Sequence, residues 1–514
     1  MTMPPTGHYV STILEVLGRE PGRTAVRYAG GSSTAAEFTR SVLAAAAVFA
    51  GTATAGTRPV VAILTEINTP ATLALRYAAN LAGATVVHLH STNAVDPKDQ
   101  LAARHRRAII AATGTTVLAV DAANLTLARS LLEGMADPPR LAAPEPLAAD
   151  VLDLSAGDPA AVDPTAVPEL PDEPAVILYT SGSTGAPKGI AVPFRLRRLY
   201  IEAALTSGEP ITYLATLPVS HSTGGMADNT LASGGTIVFH DGFDAGRFLD
   251  TAESDGISLA VVSPSQLYDL LDHPRVHTAD LSALKGVMYV GSPASPARLA
   301  EAVKVFGERL VQFYGTTETG GITMLLPAEH LDPDLRRTVG RPMMAEVAIH
   351  VPETDEVLPA GEIGEICVRS PLTMLGYWGE PELTARTIRD GWLHTGDLGS
   401  LDEKGYLSIH GRMAEVIKAH GIKIRPSTVE QALLAHPAVA QAVVYCVKDA
   451  DRREYVHAAV VTREEVSTES LTAHVADELS EKHTPDVIRF RDRLPLDGAG
   501  KPDKALLVAE EGTR

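Results

Sequence analysis

Three short apolar runs in this sequence each end in a loop of small residues, and that pattern constrains the fold more than any other feature. "PAVILY" (174–179) runs into "TSGSTGAPKG", "LKGVMYV" (284–290) into "GSPASP", and "RLVQFY" (309–314) into "GTTETGG". Runs of this length, rich in branched and aromatic residues and bounded by glycine, read as buried strands. The segment after the second loop, "ARLAEAVKVFGER", places Leu299, Val303 and Phe306 at helical intervals. Strand, loop, helix and strand in succession predict an α/β fold, and in such sheets ligands bind beyond the carboxyl ends of the strands. The three loops are therefore expected to line one site.

Residues 1–170 show the same alternation, with "PVVAIL" and "ATVVHL" as strands and the alanine-rich stretch near 42–50 as a core helix. The Pro-, Asp- and Ala-rich segment before "PAVILY" reads as a long surface connection. Glycines and charges cluster over 404–425, and beyond them lies a smaller α+β pattern. "AVAQAVVYCV" and "YVHAAVVT" read as strands, and "LTAHVADELSEKH" as a helix with Leu471, Val475 and Leu479 on one face. A chain of 514 residues exceeds what one core supports. The expected architecture is α/β, with a large N-terminal domain of mixed sheets and helices over 1–412 and a small α+β domain over 413–514.

The formal net charge of −19 argues against nucleic acid as a partner. It also means that a polyanionic ligand must be met by local positive charge, so lysines and arginines near glycine loops matter. Cys367 and Cys446 stand far apart and offer neither a disulfide framework nor a metal-ligand spacing. No apolar run is long enough to insert into a membrane, and "MTMPPTGHYV" lacks the pattern of a signal peptide, so a cytoplasmic enzyme is expected.

The loop in "YTSGSTGAPKG" combines hydroxyls, glycines and a lysine, a composition suited to phosphate. It is not a Walker A loop, because Pro187 stands where the second glycine belongs and Gly189 follows Lys188. Five further stretches complete a pattern: "YGTTETGG" (314–321), "GEIGEICVRSPLTMLGYW" (361–378), "GWLHTGDLG" (391–399), "GRMAEVIKAHGIKIRP" (411–426) and "DGAGKPDKALL" (497–507). In order and spacing the six motifs resemble the adenylate-forming superfamily, which includes acyl-CoA synthetases and peptide-synthetase adenylation domains.

The resemblance implies ATP, Mg²⁺ and CoA as reactants or cofactors. It assigns Thr180, Ser181, Gly182, Ser183, Thr184 and Lys188 to the ATP phosphates. Gly291, Ser292 and Pro293 in "GSPAS" would contact adenine, with Tyr314 offering it a flat face and Gly315 and Thr316 beside it. Thr317 would face the α-phosphate, and Glu318 is a hard oxygen ligand for Mg²⁺. Asp397 would hold the ribose hydroxyls, Arg412 and Lys423 would add positive charge, and Lys501 would be the catalytic lysine of adenylation. His221 would stand beside the acyl pocket with catalytic Thr317 and Lys501 nearby. Gly224, Gly291, Gly315 and Gly320 would border the substrate, and Gly224, Gly225, Gly315, Gly320 and Gly321 suggest space for a ring. Lys418 and Gly421 would border a pantetheine tunnel. The absence of an aspartate in "PVSHSTGG" disfavours an amino-acid substrate.

The sequence departs from the family pattern at the hinge before the mobile C-terminal domain, where Ala414 replaces the usual Asp or Lys. Three readings follow. The first is an acid–CoA ligase acting through acyl-AMP. The second hands the activated acid, or another oxyacid, to a nitrogen nucleophile, as some bacterial biosynthetic relatives do. The third, a nucleotide-binding regulator without turnover, is disfavoured by the presence of Lys188, Glu318, Asp397, Arg412 and Lys501 together.

Overall fold

The structure is a computed structural model. It describes residues 7–52, 58–89, 103–168, 170–180, 187–207, 209–221, 223–496 and 501–511. The phosphate-loop residues Ser181, Gly182, Ser183 and Thr184 lie outside them. The chain divides into two units: Met1–Asp244, Thr251–Val261 and Leu372–Arg386 form the first, and Ala245–Asp250, Val262–Pro371 and Thr387–Arg514 the second.

The first unit contains a sheet in the order Gly376–Tyr377, Lys188–Pro193, Pro174–Thr180, Thr85–His88, Val60–Leu64, Val117–Val120, Arg140–Ala143 and Leu152–Asp153. From Pro174–Thr180 onward along that order the pairs are parallel. Its central strands are buried on both faces, which is why they read as continuous Val, Ile and Leu runs rather than as alternating patterns. A second set of strands in this unit includes Thr24–Tyr28, Thr212–Ala215, Thr236–Phe239 and all but the last residue of Leu259–Val262, with parallel pairing among them. The alanine-rich stretch forms the helix Ala35–Ala50, started by a capping box between Thr34 and Glu37.

The Pro- and Asp-rich segment is not a plain surface connection: it holds the edge strand Leu152–Asp153 and three short 3₁₀ turns, each begun by an aspartate accepting a backbone N–H. A side chain at Gly157 would collide with the Ala44 carbonyl, so this segment packs against the helix Ala35–Ala50.

In the second unit, Gly286–Val290 and Leu310–Thr316 are parallel and are joined through the helix Pro296–Phe306. Leu299 and Phe306 of that helix are buried, and Val303 is half-buried. "GTTETGG" is not an open loop, as the sequence suggested. Leu310–Thr316 and Gly320–Leu325 pair as an antiparallel hairpin, which takes Gly315, Thr316 and Gly320 into strands and leaves Thr317 and Glu318 at the turn. An antiparallel sheet follows in the order Glu346–His350, Gly364–Arg369, Trp392–Leu401 and Ile388–Arg389, with Leu407–Arg412 also pairing Trp392–Leu401.

Beyond it, Ile417–Ala419 and Ile422–Ile424 form a ribbon whose connecting residues, His420 and Gly421, both have positive φ. A two-residue hairpin of this kind needs both residues left-handed, which accounts for Gly421 on backbone grounds. Val439–Lys448 and Glu454–Thr462 are antiparallel, and Val487–Phe490 runs parallel to the latter. The helices Pro426–Ala435 and Thr468–Glu478 cover them, with Val429, Leu433, Leu471 and Val475 fully buried against Val444, Val456 and Val460. Among the described residues no helix is long and apolar enough to cross a membrane.

Candidate functional site

Asp397 and Arg412 are register partners on adjacent strands, so their side chains project from the same face. Arg412 Nε donates to Asp397 Oδ1 at 3.1 Å, and the Tyr314 hydroxyl donates to Oδ2 at 2.8 Å. The Asp397 backbone N–H in turn donates to Thr395 Oγ1. The carboxylate is only 6% exposed, and burial raises its pKa despite Arg412, the Tyr314 hydrogen bond and the nearby Lys501 ammonium. The fold thus holds a carboxylate where ionisation costs energy and surrounds it with cations that limit the cost. Tyr314 is committed to Asp397 through its hydroxyl, so its ring is fixed in place.

Lys501 reaches the same neighbourhood: a side chain on Gly291 would lie 3.4 Å from its Cε. Gly291 has φ +101°, a conformation that favours glycine. Locally, Leu496 bridges Pro502, and Asp503 accepts the Leu506 N–H to start the helix Lys504–Glu511. The "KPDK" stretch therefore ends a loop and caps a helix, with Lys501 before the cap. Lys504 is ion-paired to Glu415 at 2.7 Å and to Glu430 at 3.4 Å, tying this helix to the residue next to Ala414.

The hairpin turn is drawn tight by its own threonines. Thr316 and Thr319 exchange backbone and hydroxyl hydrogen bonds, with their hydroxyls 3.0 Å apart. Packing requires two glycines of this region. A Cβ at Gly315 would strike the Gly320 carbonyl, and one at Gly321 would strike the Phe313 ring. Gly320 has φ +64°. In the first unit, Gly224 is closed in by the Val219 carbonyl and Arg76, and Gly225 by the Tyr200 ring. At Gly224, Gly225, Gly315 and Gly321 the chain's own atoms therefore fill the space that the sequence suggested was room for a ring.

Thr180 and Lys188 are register partners at the ends of two paired strands of the first unit, and the Lys188 ammonium lies 5.8 Å from the Tyr377 ring centroid. His221 and Gly224 stand at the start of the helix Gly224–Ala232 in that unit, with the Gly224 N–H donating to the His221 carbonyl. Below them Asp228, wholly buried, takes hydrogen bonds from Arg76, Arg197 and the Tyr77 hydroxyl. Gly291, Ser292 and Pro293 follow the strand Gly286–Val290 in the second unit. Lys418 and Lys423 pair across the ribbon, placing two ammonium groups on one exposed face. The structure thus brings Tyr314, Asp397, Arg412, Gly291 and Lys501 together within the second unit.

Among the described residues, one set of His and Cys side chains has metal-like spacing. His350, Cys367 and His394 present ligand atoms within 4.8 Å of one another. Sequence spacing could not show this, because the residues come together only through strand register, Cys367 opposite His394 and His350 opposite Glu365. The chemistry is that of an ion-pair network. His394 Nδ1 lies 2.9 Å from Glu365 Oε2, and Arg389 Nη2 lies 2.8 Å from Nδ1 and 3.0 Å from Nε2. A guanidinium can only donate, so the His394 ring accepts from Arg389. A cation placed there would face the Arg389 charge, and burial keeps the Cys367 thiol protonated by raising its pKa far above the ordinary value.

With this geometry in view, the chain matches the AMP-binding enzyme family over residues 14–378 and the AMP-binding enzyme C-terminal domain over 428–501. The chain belongs to the AMP-binding enzyme family. Membership makes it an AMP-forming ligase. It is 32% identical to a feruloyl-CoA synthase of Amycolatopsis sp over 94% of each chain. It is 37% identical to a medium/long-chain-fatty-acid–CoA ligase of Mycobacterium tuberculosis over 66% of this chain, a match that spans 62% of that enzyme's length. The fold is similar to that of the amide bond synthetase McbA from Marinactinospora thermotolerans, with a TM-score of 0.83 and 33% identity over 98% of this chain and 99% of that one.

Sequence reasoning missed the Tyr314–Asp397 hydrogen bond and the Lys504–Glu415–Glu430 group. The first joins residues 83 positions apart and left no local signal. The second had one, a lysine a single helical turn beyond Lys501.

Proposed function

We propose that this AMP-binding enzyme activates a carboxylic acid with ATP, releases pyrophosphate, and transfers the acyl group from the acyl-adenylate to CoA. The observation that carries the reading is the buried Asp397 carboxylate, with Arg412 and Tyr314 on its two oxygens and Lys501 close by. A carboxylate with spare lone pairs suits the two ribose hydroxyls, and a nearby ammonium suits the charge that builds at the α-phosphorus. The acid's carboxylate oxygen attacks that phosphorus and pyrophosphate leaves. Lys501 stabilises the charge on the non-bridging oxygens, while Asp397 and Arg412 fix the nucleoside end.

The donor set at the hairpin turn, one carboxylate from Glu318 beside threonine hydroxyls, fits Mg²⁺, which binds through few protein oxygens and keeps water and phosphate ligands. Bound there with the nucleotide, the ion would screen the departing pyrophosphate. Ser181 to Thr184, with Lys188, are proposed to wrap the distal phosphates, and Lys423 to add charge near the nucleotide. His221 is proposed to border the acid, and Lys418 and Gly421 the pantetheine arm. The working domains are proposed to be 1–412 and 413–514.

A second reading replaces CoA with an amine, giving an amide. Two observations favour it: the near full-length likeness to an amide bond synthetase, and Ala414 at the hinge. The test supplies ATP, Mg²⁺ and a panel of acids, with CoA or candidate amines in separate reactions, and measures pyrophosphate, AMP and product. A CoA-dependent rise in AMP release with a thioester product supports the first reading. An amide product with indifference to CoA replaces it with the second, and no pyrophosphate release with any acid removes both.

A further inference from the structure

The strands of the C-terminal part of the second unit meet the helices on either side of the "GSPAS" loop through a polar contact whose residues no motif contains. The Gln441 side-chain amide donates to Asp269 Oδ1 at 2.7 Å. Arg463 Nε donates to Asp272 Oδ1 at 2.9 Å, its Nη1 to the Pro437 carbonyl at 2.8 Å, and its Nη2 lies 3.6 Å from Glu301. These contacts bridge long intervals of sequence, 172 and 191 residues for the two direct hydrogen bonds.

The contact continues inward. Asp272 Oδ2 accepts from Arg298 Nη2 at 2.8 Å, and Arg298 is 1% exposed. Arg298 also pairs with Glu301, donates to the Tyr268 carbonyl at 3.0 Å, and lies 5.0 Å from the Tyr268 ring centroid. The Tyr268 hydroxyl, at the other end of that ring, accepts the Ser295 backbone N–H at 2.7 Å. Ser295 closes the loop that begins at Gly291, over which Lys501 lies. A continuous chain therefore runs from Arg463 through Asp272, Arg298 and Tyr268 to the loop that faces Lys501.

The charges explain why Arg463 matters to this chain. Two carboxylates, Asp272 and Glu301, are shared between two guanidiniums, Arg298 and Arg463. Without Arg463, the buried Arg298 is pulled by two carboxylates with one counter-charge removed. An exposed ion pair would count for little, but one member of this network has almost no access to water.

We infer that Arg463, supported by Gln441, is a positioning residue for adenylation: it docks the C-terminal strands on the Asp272–Arg298 pair and so sets the "GSPAS" loop and Lys501 against each other. This rests on the adenylation reading above, and the experiment separates the two. Arg463→Ala and Arg463→Lys are compared with the unaltered enzyme in acceptor-free pyrophosphate release, in thioester formation from chemically prepared acyl-adenylate and CoA, in thermal melting, and in amide hydrogen exchange of residues 291–295. Expected for Arg463→Ala are a tenfold or greater fall in kcat for pyrophosphate release, with the ATP KM within twofold and the second half-reaction unchanged. Exchange at 291–295 should quicken while the melting temperature holds, and Arg463→Lys should recover part of the rate. An unaltered kcat, unaltered exchange, or a parallel fall of both half-reactions with the melting temperature overturns the inference. If the unaltered enzyme releases no pyrophosphate with any acid, the functional reading fails, and the exchange measurement alone decides the positioning role.

Discussion

Replacing Asp397 by asparagine separates a residue that binds nucleotide from one that holds a turn together. The amide keeps the carboxylate's shape, so Arg412 Nε can still donate to its oxygen, and the Tyr314 hydroxyl can rotate to accept from its NH₂ group. What disappears is the negative charge and the acceptor capacity left for a ribose. Hydrogen bonds to a charged group contribute about 1.5–3 kcal/mol each, and the freed Arg412 guanidinium offsets part of the loss. A net cost of about 3 kcal/mol is reasonable for two ribose hydroxyls, which is roughly a hundredfold in affinity. Because the ribose is held equally in ground and transition states, the loss should fall on the ATP KM and leave kcat within a few-fold. Stability should move the other way. Burial raises the folded-state pKa of Asp397, so the fold favours its protonated form, and this group's contribution to stability falls as pH rises from the unfolded pKa through the folded one. Above the folded pKa that cost is present in full, and asparagine removes it. The variant should melt no lower than the unaltered protein while binding ATP about a hundredfold more weakly, by calorimetry without acid and by pyrophosphate exchange with it. An unchanged ATP affinity, or a melting temperature that drops with it, would refute the reasoning and make Asp397 a structural residue.

Three further outcomes are expected. Lys501→Ala should lower kcat for pyrophosphate release by about a hundredfold or more, roughly 3 kcal/mol, with ATP binding by calorimetry retained; near-normal release would remove Lys501 from the mechanism. Glu318→Gln should shift the Mg²⁺ titration of the rate to higher concentration, since an amide is a poorer ligand for a hard cation, and superimposable titrations would assign the ion elsewhere. Glu511, which accepts from Arg489 at 3.1 and 3.0 Å and from the Tyr445 hydroxyl at 3.2 Å, has its pKa pulled down to about 2 from 4.5, chiefly by Arg489. A depressed carboxylate contributes stability above its unfolded pKa and loses it as pH falls towards the folded one. Glu511→Gln should therefore cost about 1–2 kcal/mol at pH 7 and flatten the acid limb of the stability curve below about pH 4.5, whereas an unchanged acid limb in urea titrations would place the sensitivity elsewhere.

The run at 174–179 was legible because burial on both faces demands unbroken apolar residues, and those at 284–290 and 309–314, with half-buried positions along them, because branched and aromatic residues bounded by glycine mark a strand locally. The helix with Leu299 and Phe306, and the one with Leu471 and Val475, were legible for the equivalent reason at helical period. The six motifs likewise marked Asp397, Arg412 and Lys501, since each lies in a short stretch of glycines and charges. Tertiary structure decided everything that depends on which strand lies beside which. Register set Asp397 opposite Arg412 and gathered His350, Cys367 and His394 into a network that no spacing announces, while the meeting of two different sheets brought Tyr314 to the same carboxylate. It also reversed the meaning of Gly224, Gly225, Gly315 and Gly321: read along the chain they suggested room, yet in the fold their missing side chains are replaced by Arg76, Tyr200, a carbonyl and Phe313. A sequence states how small a residue is, and only the packed neighbours determine what occupies the space it leaves.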